Sequence, residues 1–155
     1  MTAYTDQRHL HYTAPQLFDL VADVESYPDF LPWVAEAGII RRADKRVWVD
    51  LTIGTGFIRR RFASVAELER PKRIDIVSHD RLFDYFEQSW LFEPAADGGA
   101  IVGCRVAVRL RSRLLQAVMG AQFDQAASVL VDAFRRRARQ IYGADGRHAS
   151  SPSHG

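Results

Sequence analysis

His9 and His11 stand two residues apart, a spacing that puts both imidazoles on one face of a strand, and imidazole is the commonest protein ligand of transition metals. A zinc site needs three or four ligands, and no third one is spaced to join this pair. The pair is a possible metal pair without a third ligand, and no metal site is expected. Cys104, the single cysteine, alternates with valines and reads as a small buried hydrophobe. No Gly-x-Ser-x-Gly elbow occurs, and Gly54-Thr-Gly-Phe-Ile-Arg59 lacks the third glycine of a dinucleotide fingerprint. Asp19, Asp23, Glu25 and Asp29 are numerous enough for acid–base work, but a short amphipathic helix normally exposes such groups. Nothing in this set demands an enzyme, so no catalytic residue and no catalytic cofactor are assigned.

The elements that would hold these groups follow from periodicity. A chain of 155 residues with a net charge of +2 suits one domain and is too weakly basic to argue for nucleic acid. Leu114 to Phe123, the longest uncharged stretch of the C-terminal helical region, is far short of the roughly 18 apolar residues of a membrane span. With no basic-then-apolar leader and one cysteine, a soluble cytoplasmic protein is expected. Arg113 to Tyr142 reads as one long helix with Leu115, Met119, Phe123, Ala127, Leu130, Phe134, Ala138 and Ile141 on an apolar stripe. Ser112 fits its N-cap and Gly143 its C-terminal stop, while Gly120 marks either a kink or a tolerated defect.

Upstream, His9 to Tyr12 reads as a short strand, and Thr13-Ala-Pro-Gln16 matches a capping box that opens a helix with Leu17, Phe18, Leu20, Val21 and Val24 on its apolar side. Pro28 and Pro32 bracket at most one further helical turn. From Val34 the pattern alternates. Val47, Val49, Leu51 and Ile53 share a face, as do Phe86, Gln88, Trp90 and Phe92, and Val102, Cys104, Val106, Val108 and Leu110. Gly54-Thr-Gly56 and Asp97-Gly-Gly99 supply turns, so consecutive strands pair antiparallel. The expected fold is α+β: a curved antiparallel sheet of about six to seven strands, two short N-terminal helices and one long C-terminal helix, in a single domain over residues 1–143. The polar segment 144–155 is expected to be a disordered tail.

This order resembles the START-like, helix-grip (polyketide cyclase/dehydrase) superfamily. Leu17-Phe-Asp-Leu-Val-Ala-Asp-Val-Glu-Ser-Tyr-Pro-Asp-Phe-Leu-Pro-Trp33 is similar to the signature of the coenzyme Q-binding proteins and the related ribosome-association toxins. Leu82-Phe-Asp-Tyr-Phe-Glu-Gln-Ser-Trp-Leu-Phe92 resembles their aromatic strand, and Phe123, Ala133-Phe134, Arg137-Ala138 and Tyr142-Gly143 their C-terminal helix. The resemblance implies an apolar cavity between sheet and helix that holds ubiquinone or a similar polyprenyl lipid and supports respiration. Val49, Leu51, Phe62, Phe86, Gln88, Trp90, Val106, Phe123, Leu130 and Phe134 would line it, with Gln88 free to hydrogen-bond a quinone oxygen. The same aromatic set would serve equally as ordinary core. Tyr27, Phe30, Leu31 and Trp33 form either a structural corner or an entrance lip that touches membrane.

Arg59, Arg60 and Arg61, with Arg105, Arg109, Arg111 and Arg113, read as solvated strand faces; the other reading is a basic surface for anionic lipid or ribosomal RNA. A monomeric quinone carrier, peripheral to the inner membrane and visiting respiratory complexes, is the leading expectation. A toxin that binds the ribosome and blocks 70S subunit joining is the alternative, and a polyketide cyclase or aromatase the third.

Overall fold

The computed structural model describes residues 3–55, 57–117 and 125–143. In chain order they form β1 (Ala3–Leu10), α1 (Ala14–Ala22), a 3-10 helix (Val24–Asp29), β2 (Val34–Ala43), β3 (Arg46–Thr55), β4 (Ile58–Glu69), β5 (Arg73–Val77), β6 (Phe83–Pro94), β7 (Ala100–Leu110), a helical segment at 113–117, and α2 (Ala126–Tyr142). The seven strands make one sheet in the order β1-β7-β6-β5-β4-β3-β2, antiparallel at every step. Because β1 pairs with β7, the first strand forms one edge of the sheet and β2 the other. The α1 and 3-10 segment therefore has to cross from edge to edge.

The register explains the buried face. Across β3 and β4, Val47, Val49 and Leu51 lie opposite Ala66, Ser64 and Phe62. Across β6 and β7, Phe86, Gln88, Trp90 and Phe92 lie opposite Val108, Val106, Cys104 and Val102. Directly opposed residues point to the same side of a sheet, so these pairs form one continuous inner face. The other face is charged. Arg46, Arg61, Arg73, Arg105, Arg109 and Arg111 stand against Glu67, Asp50, Asp75, Glu87 and, for the last two, Asp84.

Local signals set the helix ends. Gln16 N–H donates to the Thr13 hydroxyl at 3.2 Å and Thr13 N–H to the Gln16 side chain at 2.9 Å, closing the capping box. Leu115 N–H donates to the Ser112 hydroxyl at 3.2 Å, and Gly143 ends α2 with a φ of 91°, a conformation that glycine adopts without strain.

Three expectations change. First, β1 spans Ala3–Leu10 rather than His9 to Tyr12. It is polar along most of its length, so its identity comes from the ladder with β7, which no side-chain period reveals. Second, the C-terminal helix α2 has 17 residues, about 25 Å. Its N-cap Gln125, at φ −113° and ψ 10°, separates it from the helical start at 113–117. Met119, Gly120 and Phe123 lie outside the described residues, as does the tail 144–155. Third, α2 buries Ala127, Phe134 and Ala138 of the expected stripe together with Val131 and Ala133, while Leu130 is half-buried and Ile141 is 48% exposed. The buried face is centred slightly to one side of the expected one.

Alpha2 lies over β1, β7 and α1. Ala127 and Ala138, both essentially fully buried, let its backbone come close to the sheet. Arg8 of β1 clamps it from the edge. Its guanidinium donates to Asp132 and, at 3.0 Å, to the Ser128 hydroxyl, while Nε donates to Asp6 at 3.0 Å.

Candidate functional site

The expected cavity residues divide into two groups. One is buried, with Trp90 and Phe134 at its centre under α2 and Val49 and Phe62 on β3 and β4. Trp90 and Phe134 are 1% and 4% exposed, their rings are 5.2 Å apart edge to face, and Phe92 stacks on Trp90 at 6.2 Å. Val49, Phe62 and Val106 are also buried. Such contacts saturate the ring faces, so Trp90 and Phe134 hold the helix on the sheet rather than present surface to a ligand.

The second group is half-buried. Leu51 on β3 and Phe86 and Gln88 on β6 keep part of their surface open on the inner face of the sheet, and Leu130 of α2 is half-buried against the core. Ile53 and Ile76 are half-buried too and extend the patch toward β3 and β5, away from the strands that α2 covers. Phe86 is braced by Phe83 at 5.0 Å and Phe62 at 5.9 Å. Phe123, the remaining expected lining residue, lies outside the described residues. Ile53, Ile76, Phe83 and Ser64 were not assigned to the site from sequence, although Ile53 and Ser64 alternate in step with Leu51 and Phe62 and carried the signal.

Few groups on this face can do chemistry. Gln88 lies beside the Cys104 side chain. Burial pushes the Cys104 thiol up to about 12, Asp6 adds to the rise and the neighbouring Gln88 side chain opposes it. The thiol is thus protonated at neutral pH and is no nucleophile. Asp6 reaches the edge of the face but is held by Arg8. What the patch offers is apolar area with one amide, beside a buried hydroxyl at Ser64 and a buried thiol, which suits binding better than proton transfer.

The segment from Tyr27 to Trp33 packs as a corner. Leu31 is 2% exposed. The Tyr27 ring lies 5.5 Å from Phe134 and the Phe30 ring 5.1 Å, and Trp33 is half-buried against the core. The Tyr27 hydroxyl donates to the Val21 carbonyl, and burial, with Asp23 nearby, raises its pKa. Arg137 of α2 covers this corner, its guanidinium 5.1 Å from the Phe30 ring centre and 3.8 Å from Asp29, with Nε buried and without a hydrogen-bond partner among the described residues.

The absence of a third ligand near His9 and His11 does not survive folding. The β6–β7 turn brings Asp97 against both, its Oδ2 2.9 Å from His9 Nε2 and 3.8 Å from His11 Nδ1. The Gly99 N–H, then His9, hold the Asp97 carboxyl below its ordinary value.

A curved antiparallel sheet that grips a C-terminal helix, with an apolar inner face and no catalytic constellation among the described residues, defines a START-like domain. The chain belongs to the polyketide cyclase / dehydrase and lipid transport family, whose model matches residues 10–135. A START superfamily protein from Mycobacterium smegmatis shares the fold with a TM-score of 0.73 at 15% identity, over 90% of this chain and 98% of that one. Among curated relatives, the ribosome association toxin RatA of Pseudomonas aeruginosa is 31% identical over 134 residues, 86% of this chain and 93% of the toxin. A coenzyme Q-binding protein COQ10 homolog B, mitochondrial, of Xenopus laevis is 26% identical over 90% of this chain and 59% of its own length. Neither relative bears the name of an enzyme. Among the described residues no helix is long and apolar enough to cross a membrane.

Proposed function

We propose that this chain binds ubiquinone or a similar polyprenyl lipid against the half-buried inner face between β3, β6 and α2, and carries it to or from respiratory complexes. The observation that carries the reading is the half-buried set Leu51, Phe86 and Leu130, with Gln88 as its polar member, beside the buried core around Trp90 and Phe134. An isoprenoid tail laid on such a face gains about 25 cal/mol for each Å² removed from water, so few polar contacts are needed. Gln88 would donate its amide to a quinone oxygen. The relative named as a coenzyme Q-binding protein supports this choice. The carrier would act as a cytoplasmic monomer with transient visits to the inner membrane.

Organic extraction of natively purified protein, followed by mass spectrometry, tests it. Near-stoichiometric quinone in the parent and its loss from a folded Leu130→Asp variant is the expected result. Equal quinone in both would remove this face as the site.

A second reading, association with the ribosome, is favoured by the toxin relative, which matches over 93% of its length. Growth arrest on expression, with a fall in the 70S fraction in sucrose gradients, is the result expected from it. The cyclase reading asks for acid–base groups on the inner face, and the side chains found there offer little beyond an amide, a hydroxyl and a protonated thiol.

A further inference from the structure

We propose that His9, His11 and Asp97 form a surface site for a divalent transition metal of the zinc class. The three candidate ligand atoms, one from each residue, lie within 4.8 Å of one another. Bonds of about 2.0–2.2 Å to a tetrahedral ion put ligand atoms about 3.3 Å apart. The His9 Nε2 to Asp97 distances of 2.9 and 3.1 Å and the His11 Nδ1 distance of 3.8 Å bracket that spacing. Two imidazoles and one carboxylate are the donor set that borderline ions such as zinc, nickel or copper prefer, and they leave a coordination position open.

The backbone that aims these groups is fixed. Leu10, between the histidines, is 7% exposed and ends the β1–β7 ladder opposite Ala100. The turn is pressed onto that end of β1: a Cβ on Gly99 would meet the Leu10 carbonyl oxygen at 2.3 Å. Glycine at 99 is therefore what lets the turn approach, and the approach is what delivers Asp97. The carboxylate is also oriented from behind, accepting the Gly99 N–H at 2.9 Å. Behind the histidines lies a pocket of about 200 Å³, with Arg135 and Arg139 of α2 on its wall. These guanidinium groups oppose the cation, but both side chains are exposed and screened by water. They favour an anionic group, hydroxide or an oxyanion, in the open position.

A bound ion would tie the end of β1 to the β6–β7 turn. That joint is next to the point where the Tyr12 hydroxyl donates to the Gly143 carbonyl at 2.7 Å. The site is separate from the lipid-binding face, so either proposal can fail alone.

Calorimetric titration of zinc chloride into the tag-free, chelator-treated full chain is the test. His148 and His154 in the tail could bind zinc by themselves, so the titrations are made in a His148→Ala/His154→Ala background. One equivalent of zinc is expected to bind there and to raise Tm. His9→Ala, His11→Ala and Asp97→Asn, all at well-exposed side chains that should not disturb folding, are each expected to weaken binding by more than about tenfold, since even loss of an outer-shell partner does that much. Cobalt(II) should give a tetrahedral absorption band that each variant loses. Unchanged affinity in His9→Ala, or no binding at millimolar zinc once the tail histidines are gone, overturns the site.

Discussion

Arg8 does at one position what the grip of sheet on helix requires of the whole fold: it joins the edge strand to α2 through Asp132 and Ser128. Its hydrogen bond to Asp132, more than the Coulomb attraction, holds that carboxyl below its ordinary value of 3.8, while partial burial opposes. A carboxyl depressed in the folded state adds stability that is present above its unfolded pKa and is lost as pH falls through the folded one. The contribution is thus complete at neutral pH, begins to fall below about pH 4 and is lost as the pH passes the lower folded value. Asp132→Asn should flatten the stability–pH curve in that acid window. At pH 7 both Asp132→Asn and Arg8→Ala should cost about 0.5–1 kcal/mol, the scale of a water-exposed pair, in urea unfolding. An undiminished acid slope in Asp132→Asn would move the effect to another carboxylate.

Elements differ in how much of their placement is local. Phe134 on α2 is 4% exposed and touches Trp90, Tyr27 and Phe30, so Phe134→Ala should cost about 3–5 kcal/mol by chemical denaturation. Ile141, seven residues on and 48% exposed, should change stability by no more than about 0.5 kcal/mol when cut to alanine. Equal losses at the two positions would restore the helix face read from sequence. That face is ambiguous in sequence because Ala127-Leu130-Phe134 and Ala127-Val131-Phe134 both satisfy a three-and-four spacing, and only the sheet beneath selects Val131. By contrast, the capping box at Thr13 and the stop at Gly143 were legible, since both are settled within a few residues of chain. Polar β1 was largely hidden, and Asp97 is 88 residues from His9, so neither the edge strand nor the histidines' partner could be read from spacing. The site was legible as a face but not as a cavity. Trp90 and Gln88 sit on the same strand with the same period, yet one is sealed under α2 and the other is not.

At the scale of the molecule, the distribution of charge separates the two functional readings. The outer face of the sheet carries many arginines, but Arg46, Arg61, Arg73, Arg105, Arg109 and Arg111 all face carboxylates, which offsets much of their charge. These partners weaken the alternative reading of Arg105, Arg109 and Arg111 as a basic surface, with Arg109 and Arg111 sharing the Asp84 carboxylate. Exposed arginines with no ion pair among the described residues include Arg59 and Arg60 on β4 and Arg139 on α2, while Arg136 of α2 lies near enough to Asp132 to help lower its carboxyl. A lipid held on the inner face would depend on Leu130 and be indifferent to those arginines. Binding to ribosomal RNA would show the reverse, because removing one arginine–phosphate pairing lowers the salt dependence of binding by about 0.7–0.9 in the log–log slope. Two folded variants, Leu130→Asp and Arg136→Gln/Arg139→Gln, therefore divide the possibilities. We expect quinone to leave with the first and stay with the second, by extraction and mass spectrometry. Co-sedimentation with large ribosomal subunits across a potassium chloride series gives the opposing readout. A salt slope that falls only in the arginine variant, in a protein that yields no quinone, would overturn the lipid reading and make α2 the ribosome-facing surface.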